Sequence, residues 1–171
     1  MATRTTGLVE AMDELEAITA RIRDLSPVLT VAARDTKTLI DNSFRRSRSP
    51  DGSPWSQLKP STIKRRRQGP RTRARKATNL VDTDVMTILV DTDILRKSMY
   101  STSDKSSLTM GTITPYAVYH QFGNGRMLRP FMPIEGSVTS YQLMTGGPAG
   151  RHWRDVRDMV IEYIRTGQIT G

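Results

Sequence analysis

The middle of the chain contains a basic stretch without acidic residues, and this stretch divides any fold that the chain can form. Asp51 and Asp82 enclose nine cations and no carboxylate, and these cations equal the formal net charge of +9. They are Lys59, Lys64, Arg65, Arg66, Arg67, Arg71, Arg73, Arg75 and Lys76. A block of like charge repels itself, and it is typical of a solvated loop or of a surface that binds nucleic acid or an acidic protein.

Residues 45–79 are therefore predicted to form a long basic loop that is rich in proline, serine and arginine. Gln68, Gly69 and Pro70 interrupt the cations and argue against one continuous helix through them. Trp55 is the large apolar residue of this segment, and we expect it to anchor the loop to the folded body.

The composition excludes several classes of protein. The chain has no cysteine, which rules out disulfides and thiolate metal sites, and its two histidines are too few for a histidine metal cluster. We therefore expect neither a metal nor a cofactor. No apolar run approaches the ~18–20 residues that span a bilayer, and the amino terminus lacks the apolar stretch of a signal peptide. A soluble protein without a membrane partner, made in a reducing compartment, is expected.

A chain of 171 residues favours a single domain, here residues 1–171. Hydrophobic residues make up 36% of the chain, which is lean for a globular protein. We therefore expect an extended or partly disordered chain, or one whose burial of apolar surface is completed in an oligomer.

Residues 1–44 are predicted to form a helical arm. Leu8, Leu15 and Ile22 recur every seven residues, which is typical of an amphipathic helix. Ser26 is expected to cap a second helix, with Pro27 in its first turn, where a missing N–H costs nothing. This second helix should run to about residue 44 with an apolar buried side, formed by Val28, Ala32, Leu39 and Ile40.

Residues 80–135 are predicted to form the strand and hairpin core, with a short helix. A β-branched strand is expected at 85–90, then a helical turn capped by Asp91 or Thr92. A hairpin should follow, with strands near 99–102 and 108–110 joined by a turn at 103–105.

A short helix is expected to open after Thr114 and to end at Gly123. Its apolar face would carry Tyr116, Tyr119 and Phe122, which we interpret as structural anchors together with Trp55 and Phe131.

Residues 136–171 are predicted to contain a flexible break at 146–150 and a final amphipathic helix that ends at Gly167. The apolar stripe of that helix is formed by Trp153, Val156, Val160 and Ile164. The predicted fold class is α+β, with a small, mainly antiparallel sheet packed by the amino-terminal helices and the carboxy-terminal helix.

Catalytic chemistry has two weak candidates. Two Asp-Thr-Asp triplets at 82–84 and 91–93 could suggest a divalent-metal site, but no nucleotide-binding framework surrounds Asp82, Asp84, Asp91 and Asp93, and helix capping explains them more simply. His120 has no acid or nucleophile beside it in sequence. We expect no catalytic residue and no enzymatic activity.

Three short motifs carry a family resemblance. The first is Asp-Gly-x-x-Trp-x-x-Leu at 51–58, the second is Tyr-Ala-x-x-His-Gln-Phe-Gly at 116–123, and the third is Arg-Pro-Phe at 129–131. In this order they resemble the phage virion morphogenesis proteins, the tail-completion family of Mu-like and P2-like tailed phages. The resemblance covers roughly residues 30–135, with the terminal helices similar by position.

The chain departs from the family pattern at three places. Asp93 stands where the family commonly has the glycine of a Thr-Gly-x-Leu run, so a tight glycine turn is replaced by a helix start. The basic stretch at 64–76 is longer than the usual linker, and 146–150 resembles an insertion.

The resemblance implies a structural protein at the neck of a tailed phage, where it completes the tail and joins it to the head. It implies a ring around the DNA channel, with six copies as the expected number, assembled in the host bacterial cytoplasm. The implied partners are further copies of the chain, neighbouring neck and tail-tube or terminator proteins, and packaged DNA contacted through its phosphates. The alternative is a nucleic-acid-binding protein that acts without sequence specificity through residues 59–76.

Overall fold

The computed structural model describes residues 3–67, 88–90, 92–123 and 128–169. Within these ranges the helices are α1 (Thr3–Arg23), α2 (Ser26–Arg46), α3 (Pro60–Arg67), α4 (Ile94–Lys97), α5 (Ala117–Gln121) and α6 (Gly147–Thr166). The strands are β1 (Met99–Ser103), β2 (Leu108–Thr112), β3 (Ile134–Gly136) and β4 (Tyr141–Leu143). Two antiparallel hairpins, β1–β2 and β3–β4, combine with the helices, so the predicted α+β class is confirmed.

Helix α2 is the central element of the fold. Its buried side contacts β1, β2 and α6, and it contributes to two apolar clusters. Ile40 and Phe44 near its carboxyl end join the larger cluster, which also contains Trp55 and Phe131. Val28 and Leu29 near its amino end pack against Met159 of α6. No helix within the described ranges is both long and apolar enough to cross a membrane.

The joint between α1 and α2 is stabilised by Asp24 and not by the expected serine cap. Ser26 is already the first residue of α2, so its own side chain is one position too late to cap the helix. The carboxylate of Asp24 instead accepts hydrogen bonds from the backbone N–H of Ser26, at 3.0 Å, and from its hydroxyl. These hydrogen bonds lower the pKa of Asp24. Pro27 lies in the first turn, as predicted.

The predicted strand at 85–90 is wrong for its described part. Residues 85–87 lie outside the described ranges, whereas Ile88 and Leu89 form a turn. Leu89 has a φ of 64°, which is incompatible with a strand. The side chain of Ile88 is nonetheless buried in the larger cluster, so the apolar pattern reflected burial and not strand geometry.

The cap of α4 is Asp93, which corrects the expected cap at Asp91 or Thr92; Asp91 lies outside the described ranges. Asp93 has a left-handed backbone with a φ of 60°, a conformation that aspartate tolerates better than most residues. Its carboxylate is paired with Arg96 at 2.8 Å and with Lys97 at 3.4 Å. Asp93 therefore adopts the backbone conformation that a glycine at this position would favour.

The β1–β2 hairpin lies where the sequence predicts it. Its register pairs Met99 with Thr112 and Ser103 with Leu108. In the turn, the carboxylate of Asp104 accepts hydrogen bonds from the backbone N–H groups of Ser106 and Ser107. These hydrogen bonds, together with one from the Ser107 hydroxyl, lower the pKa of Asp104 to about 2. Because the pKa of Asp104 is lower in the folded protein, its ionised carboxylate stabilises the folded state. This stabilisation is complete at a pH above the ordinary pKa of aspartate and is lost as the pH falls through about 2.

The predicted flexible break at 146–150 is wrong. Its last four residues form the first turn of α6, and the backbone N–H of Ala149 donates to the carbonyl of Pro50 at 2.8 Å. Gly147 has a φ of +55°, and a Cβ atom there would overlap the carbonyl of Asp51. The glycines therefore permit close packing against the turn at 50–52.

The remaining elements agree in part with the sequence. The β3–β4 hairpin was not predicted, because three-residue strands are too short for an alternating pattern. Helix α6 ends at Gly167, as expected, with a left-handed φ of 76°. The predicted apolar stripe of α6 is half-buried. The most buried large side chain of the helix is Met159, which the stripe did not include.

Candidate assembly site

The three motif segments converge in the larger apolar cluster. Trp55 is 3% exposed, and its indole N–H donates to the carbonyl of Pro130 at 2.7 Å. Its ring meets Phe44 edge-on, with a centroid separation of 5.8 Å. Phe131 is fully buried and lies 5.3 Å from the same Phe44 ring. The first and third motifs are therefore held together on the end of α2.

Gln121 of the second motif binds the backbone of the third. The residue is 4% exposed, and its amide oxygen accepts from the N–H groups of Phe131, at 3.0 Å, and Met132, at 2.9 Å. Its amide nitrogen donates to the carbonyl of Ile134 at 2.8 Å. Phe131 and Met132 precede β3, so one side chain supplies the hydrogen bonds that a neighbouring strand would otherwise provide.

Arg129 connects all three motif segments. Its guanidinium donates to the carbonyls of Ser56 (2.9 Å from Nη2) and Gln57 (3.3 Å). Its backbone N–H donates to the carbonyl of His120 at 2.9 Å. Arg129 is 3% exposed, so its guanidinium group binds backbone carbonyls inside the subunit and is not accessible at the surface.

We expect Gln121→Ala to destabilise the subunit by about 1–3 kcal/mol, the cost of leaving buried backbone groups without partners. The measurement is thermal or denaturant unfolding. Gln142→Ala is the matched control, because Gln142 is exposed and its side chain donates to another surface side chain, that of Glu135, at 3.2 Å. Equal stability of the two variants would contradict the assigned role of Gln121.

The predicted anchors fall into two groups. Trp55 and Phe131 are buried, and Phe122 is half-buried against the larger cluster. Tyr116 and Tyr119 are 43% and 57% exposed, so the expectation that they anchor the fold is wrong.

The reason is that α5 turns a different face inward. Ala117 and Gln121, four residues apart, are its buried residues, which leaves the tyrosines outside. Sequence reasoning missed Gln121 and Arg129 as anchors. The sequence signal that could have found them is their position. Both are polar residues inside the second and third motifs, and the third motif begins a proline-rich, extended segment.

The catalytic candidates are not assembled into a site within the described ranges. His120 is partly buried, and burial, followed by the positive charge of Arg129, lowers its pKa. Its ring meets that of Tyr116 edge-on, with a centroid separation of 6.1 Å. Asp82, Asp84 and Asp91 lie outside the described ranges, and Asp93 is paired with cations. The described part of the chain contains no group of three metal-ligating side chains.

The basic segment is described at its amino end. Lys59 and Lys64 are exposed. The backbone of 60–67 forms α3, which corrects the expectation of a loop throughout 45–79; Pro60 suits a first helical position. This helix includes Arg65, Arg66 and Arg67. The other predicted contact residues lie outside the described ranges; they are Arg71, Arg73, Arg75 and Lys76.

The amino-terminal helix exposes several of its apolar side chains. Five of them are more than half exposed: Leu8, Val9, Met12, Leu15 and Ile22. Near its carboxyl end α1 is fixed to α6, because Arg21 donates to the carbonyls of Ile164, at 3.1 Å, and Arg165, at 3.0 Å.

A second group of exposed apolar side chains lies around α4 and α5. We call it the α4–α5 surface, and it consists of Ile94, Ile113, Tyr116 and Tyr119. Exposed apolar patches on a protein surface often mark sites of protein–protein contact.

Comparison with known proteins gives one result. The model of the phage virion morphogenesis family matches residues 6–151, a range that includes all three motif segments and both exposed apolar groups. No curated protein and no solved structure matches the chain at a significant level. The match covers most of the chain and agrees with the resemblance found in its motifs. The chain therefore belongs to the phage virion morphogenesis family, and its role is in the assembly of the phage virion.

Proposed function

We propose that this chain is a structural tail-completion protein of the phage neck, which joins the tail to the head. The observation that carries the proposal is the family match over residues 6–151. The structure supports it in one further way. The motif residues Trp55, Gln121 and Arg129 are buried and tie the fold together, while large apolar side chains remain on the outside. This distribution suits a subunit that functions through the surfaces it presents to neighbours.

The proposed assembly is a ring around the DNA channel. Identical subunits that meet through two different surfaces form head-to-tail interfaces, which close into a ring when the rotation between neighbours permits. Six copies are the number that the family resemblance implies. The proposed location is the head–tail interface of the virion, with neighbouring neck and tail proteins as partners.

The proposed mechanism is geometric and not catalytic. The polar motif side chains Gln121 and Arg129 are occupied by backbone groups of the same chain. Within the described residues, the charged groups near α4 pair with one another and leave no arrangement suited to acid–base catalysis. The subunit would act by fitting its surfaces between head and tail.

A phage that lacks this protein should produce filled heads and full-length tails that remain unjoined. Electron microscopy of the mutant lysate is the test, and supplying the intact gene in trans should restore joined particles. Joined, infectious virions in the uncomplemented lysate would contradict the proposal.

The basic segment supports a second function, contact with nucleic acid. Nine cations without an acidic residue between them would attract a polyanion, and the release of counterions would make that attraction strongly dependent on salt. Contacts with phosphate carry no base sequence, which suits a channel through which all of the DNA must pass. An acidic surface of a neighbouring protein is the competing partner for the same charges.

Neutralising six arginines together distinguishes these partners; the variant replaces Arg65, Arg66, Arg67, Arg71, Arg73 and Arg75 with glutamine. If the segment faces DNA, particles should assemble but retain or eject DNA abnormally. If it faces an acidic protein, heads and tails should fail to join. Normal assembly together with normal ejection would show that the segment is a solvated loop.

A further inference from the structure

Helix α1 presents an apolar stripe that the rest of the described chain leaves more than half exposed. Leu8, Met12, Leu15 and Ile22 are separated by four, three and seven residues, so they lie along one face of the helix. Residues 7–16 are all exposed. The contacts that hold α1 come from its other end, where Arg21 caps α6. The first half of the helix therefore has an apolar face available for a partner.

The charge of this segment indicates which kind of partner it would bind. Residues 5–20 carry four carboxylates, Glu10, Asp13, Glu14 and Glu16, and no cation. The whole chain has a net charge of +9, so the remainder carries +13. An acidic helix repels nucleic acid and favours a basic protein surface. A second copy of this chain supplies such a surface.

The α4–α5 surface has the complementary properties. Its apolar residues Ile94 and Ile113 are more than half exposed. Arg96 and Lys97 lie on α4 beside Ile94, and both pair with the one carboxylate of Asp93, so the group keeps an excess of one positive charge. The side chain of Lys97, at 3.4 Å from Asp93, is 74% exposed. Apolar area bordered by positive charge is what an acidic amphipathic helix requires for docking.

The side chain of Ser98 holds this surface at one end of the β1–β2 hairpin. Its hydroxyl lies 2.6 Å from the hydroxyls of both Thr112 and Thr114, which flank Ile113. The carboxyl end of α4 is thereby fixed beside the end of β2 that leads into α5.

The root of α1 lies at the opposite end of the same hairpin. The backbone N–H of Leu25, just after α1, donates to the carbonyl of Lys105 in the β1–β2 turn at 2.9 Å. Five strand residues at about 3.3 Å each separate the two ends by about 15 Å. The root of the helix and the complementary surface therefore lie at opposite ends of one hairpin, which suits a head-to-tail contact made through two different surfaces.

We propose that the amino-terminal half of α1 docks on the α4–α5 surface of a second copy of this chain. The contact uses two different surfaces, so each subunit gives its helix to one neighbour and receives a helix from the other. This inference deepens the proposed function, because it rests on the ring and names the elements that join its subunits.

Cross-linking tests the contact directly, since the chain has no native cysteine. Met12→Cys and Ile113→Cys are prepared as separate variants and then oxidised alone and after mixing. We expect a disulfide-linked dimer in the mixture at a level at least tenfold above either variant alone. Met12→Cys mixed with Val138→Cys is the control, because Val138 is an apolar residue outside the α4–α5 surface that is also more than half exposed. This control should not cross-link.

Two other results would overturn the inference. A dimer formed by Met12→Cys alone would show that two α1 helices pair with each other. The absence of any cross-link above the Val138→Cys control would show that α1 serves a different partner.

A second variant tests the same contact without cysteine. Leu8→Gln with Leu15→Gln should raise the dissociation constant of the assembly at least tenfold, measured by sedimentation. The thermal unfolding of the subunit should not change, since both side chains are exposed. Ile161→Gln, an exposed apolar position on α6, is the control and should assemble normally. Unchanged assembly of the double variant would overturn the inference.

The outcomes separate this inference from the proposed function. If the mutant lysate contains unjoined heads and tails but Met12→Cys and Ile113→Cys do not cross-link, the docking of α1 is wrong and the neck function stands. If the cross-link forms but virions lacking the protein are joined, the docking stands and the neck function is wrong.

Discussion

Trp55→Ala should lower the free energy of unfolding by about 3–5 kcal/mol, the usual cost of deleting a large aromatic side chain from a core. The ring fills the space beside Phe44, and its N–H satisfies the carbonyl of Pro130. The substitution removes both interactions and detaches the loop that precedes α3 from the motif cluster. Denaturant unfolding measures the loss, which is a large share of the ~5–15 kcal/mol that stabilises a typical domain.

Two controls separate the contributions to this effect. Trp55→Phe keeps an aromatic ring but loses the N–H, so we expect about 1 kcal/mol from the hydrogen bond with a smaller packing change. Tyr119→Ala removes an aromatic side chain of similar size that is 57% exposed, and it should change the unfolding free energy much less. Equal stability of Trp55→Ala and the natural protein would show that the loop is not docked on α2.

Gly147→Ala should destabilise the subunit by about 3–5 kcal/mol, because backbone strain at a positive φ adds to the cost of overpacking. The new Cβ atom would overlap the carbonyl oxygen of Asp51 and lie 2.5 Å from its carbonyl carbon. Both clashing atoms belong to the backbone, so relief requires α6 to move away from the turn at 50–52. Thermal unfolding of the purified variant is the measurement.

Gly146→Ala is the matched control, one residue away in the same segment. Its Cβ atom would lie 4.0 Å from the side chain of Asp51, and its φ of −90° suits any L residue. We expect a change of less than about 1 kcal/mol. Similar losses in both variants would show that the segment is sensitive to any substitution, whatever the backbone contact with Asp51.

Local signals predicted the local structure well. The β1–β2 hairpin could be located because Asp104 and the serines after it form a turn within a few residues of sequence. The end of α6 could be located because Gly167 is the ordinary residue for a left-handed helix terminus. In both cases the cause lies next to the structure that it determines.

Features that depend on distant contacts could not be predicted in the same way. The glycines at 146–150 suggested flexibility, but their function is to admit the carbonyl of Asp51, almost a hundred residues away. In α5, five residues are too few for a period to show which side faces inward, so the sequence could not show that Tyr116 and Tyr119 lie on the exposed side. Gln121 was missed because its partners, the backbone groups of 131–134, have no signature in sequence.

The seven-residue spacing in α1 shows what a sequence pattern can and cannot predict. The spacing correctly predicted a helix with an apolar side. It could not show that the side chains of Leu8 and Leu15 remain exposed in the described part of the chain, because periodicity reports which face is apolar and not what covers it. This exposed face is the observation on which we base the proposed contact with a second copy of the chain.

The most direct test of the proposed function is to locate this chain in the intact virion by electron cryomicroscopy. The subunit fold, with α2 against the β1–β2 hairpin and α6, provides a recognisable shape for fitting into the density. We expect a closed ring of copies around the DNA channel at the junction of head and tail. Copies found at the tail tip, along the tail tube or inside the capsid, with none at the junction, would contradict the proposed function.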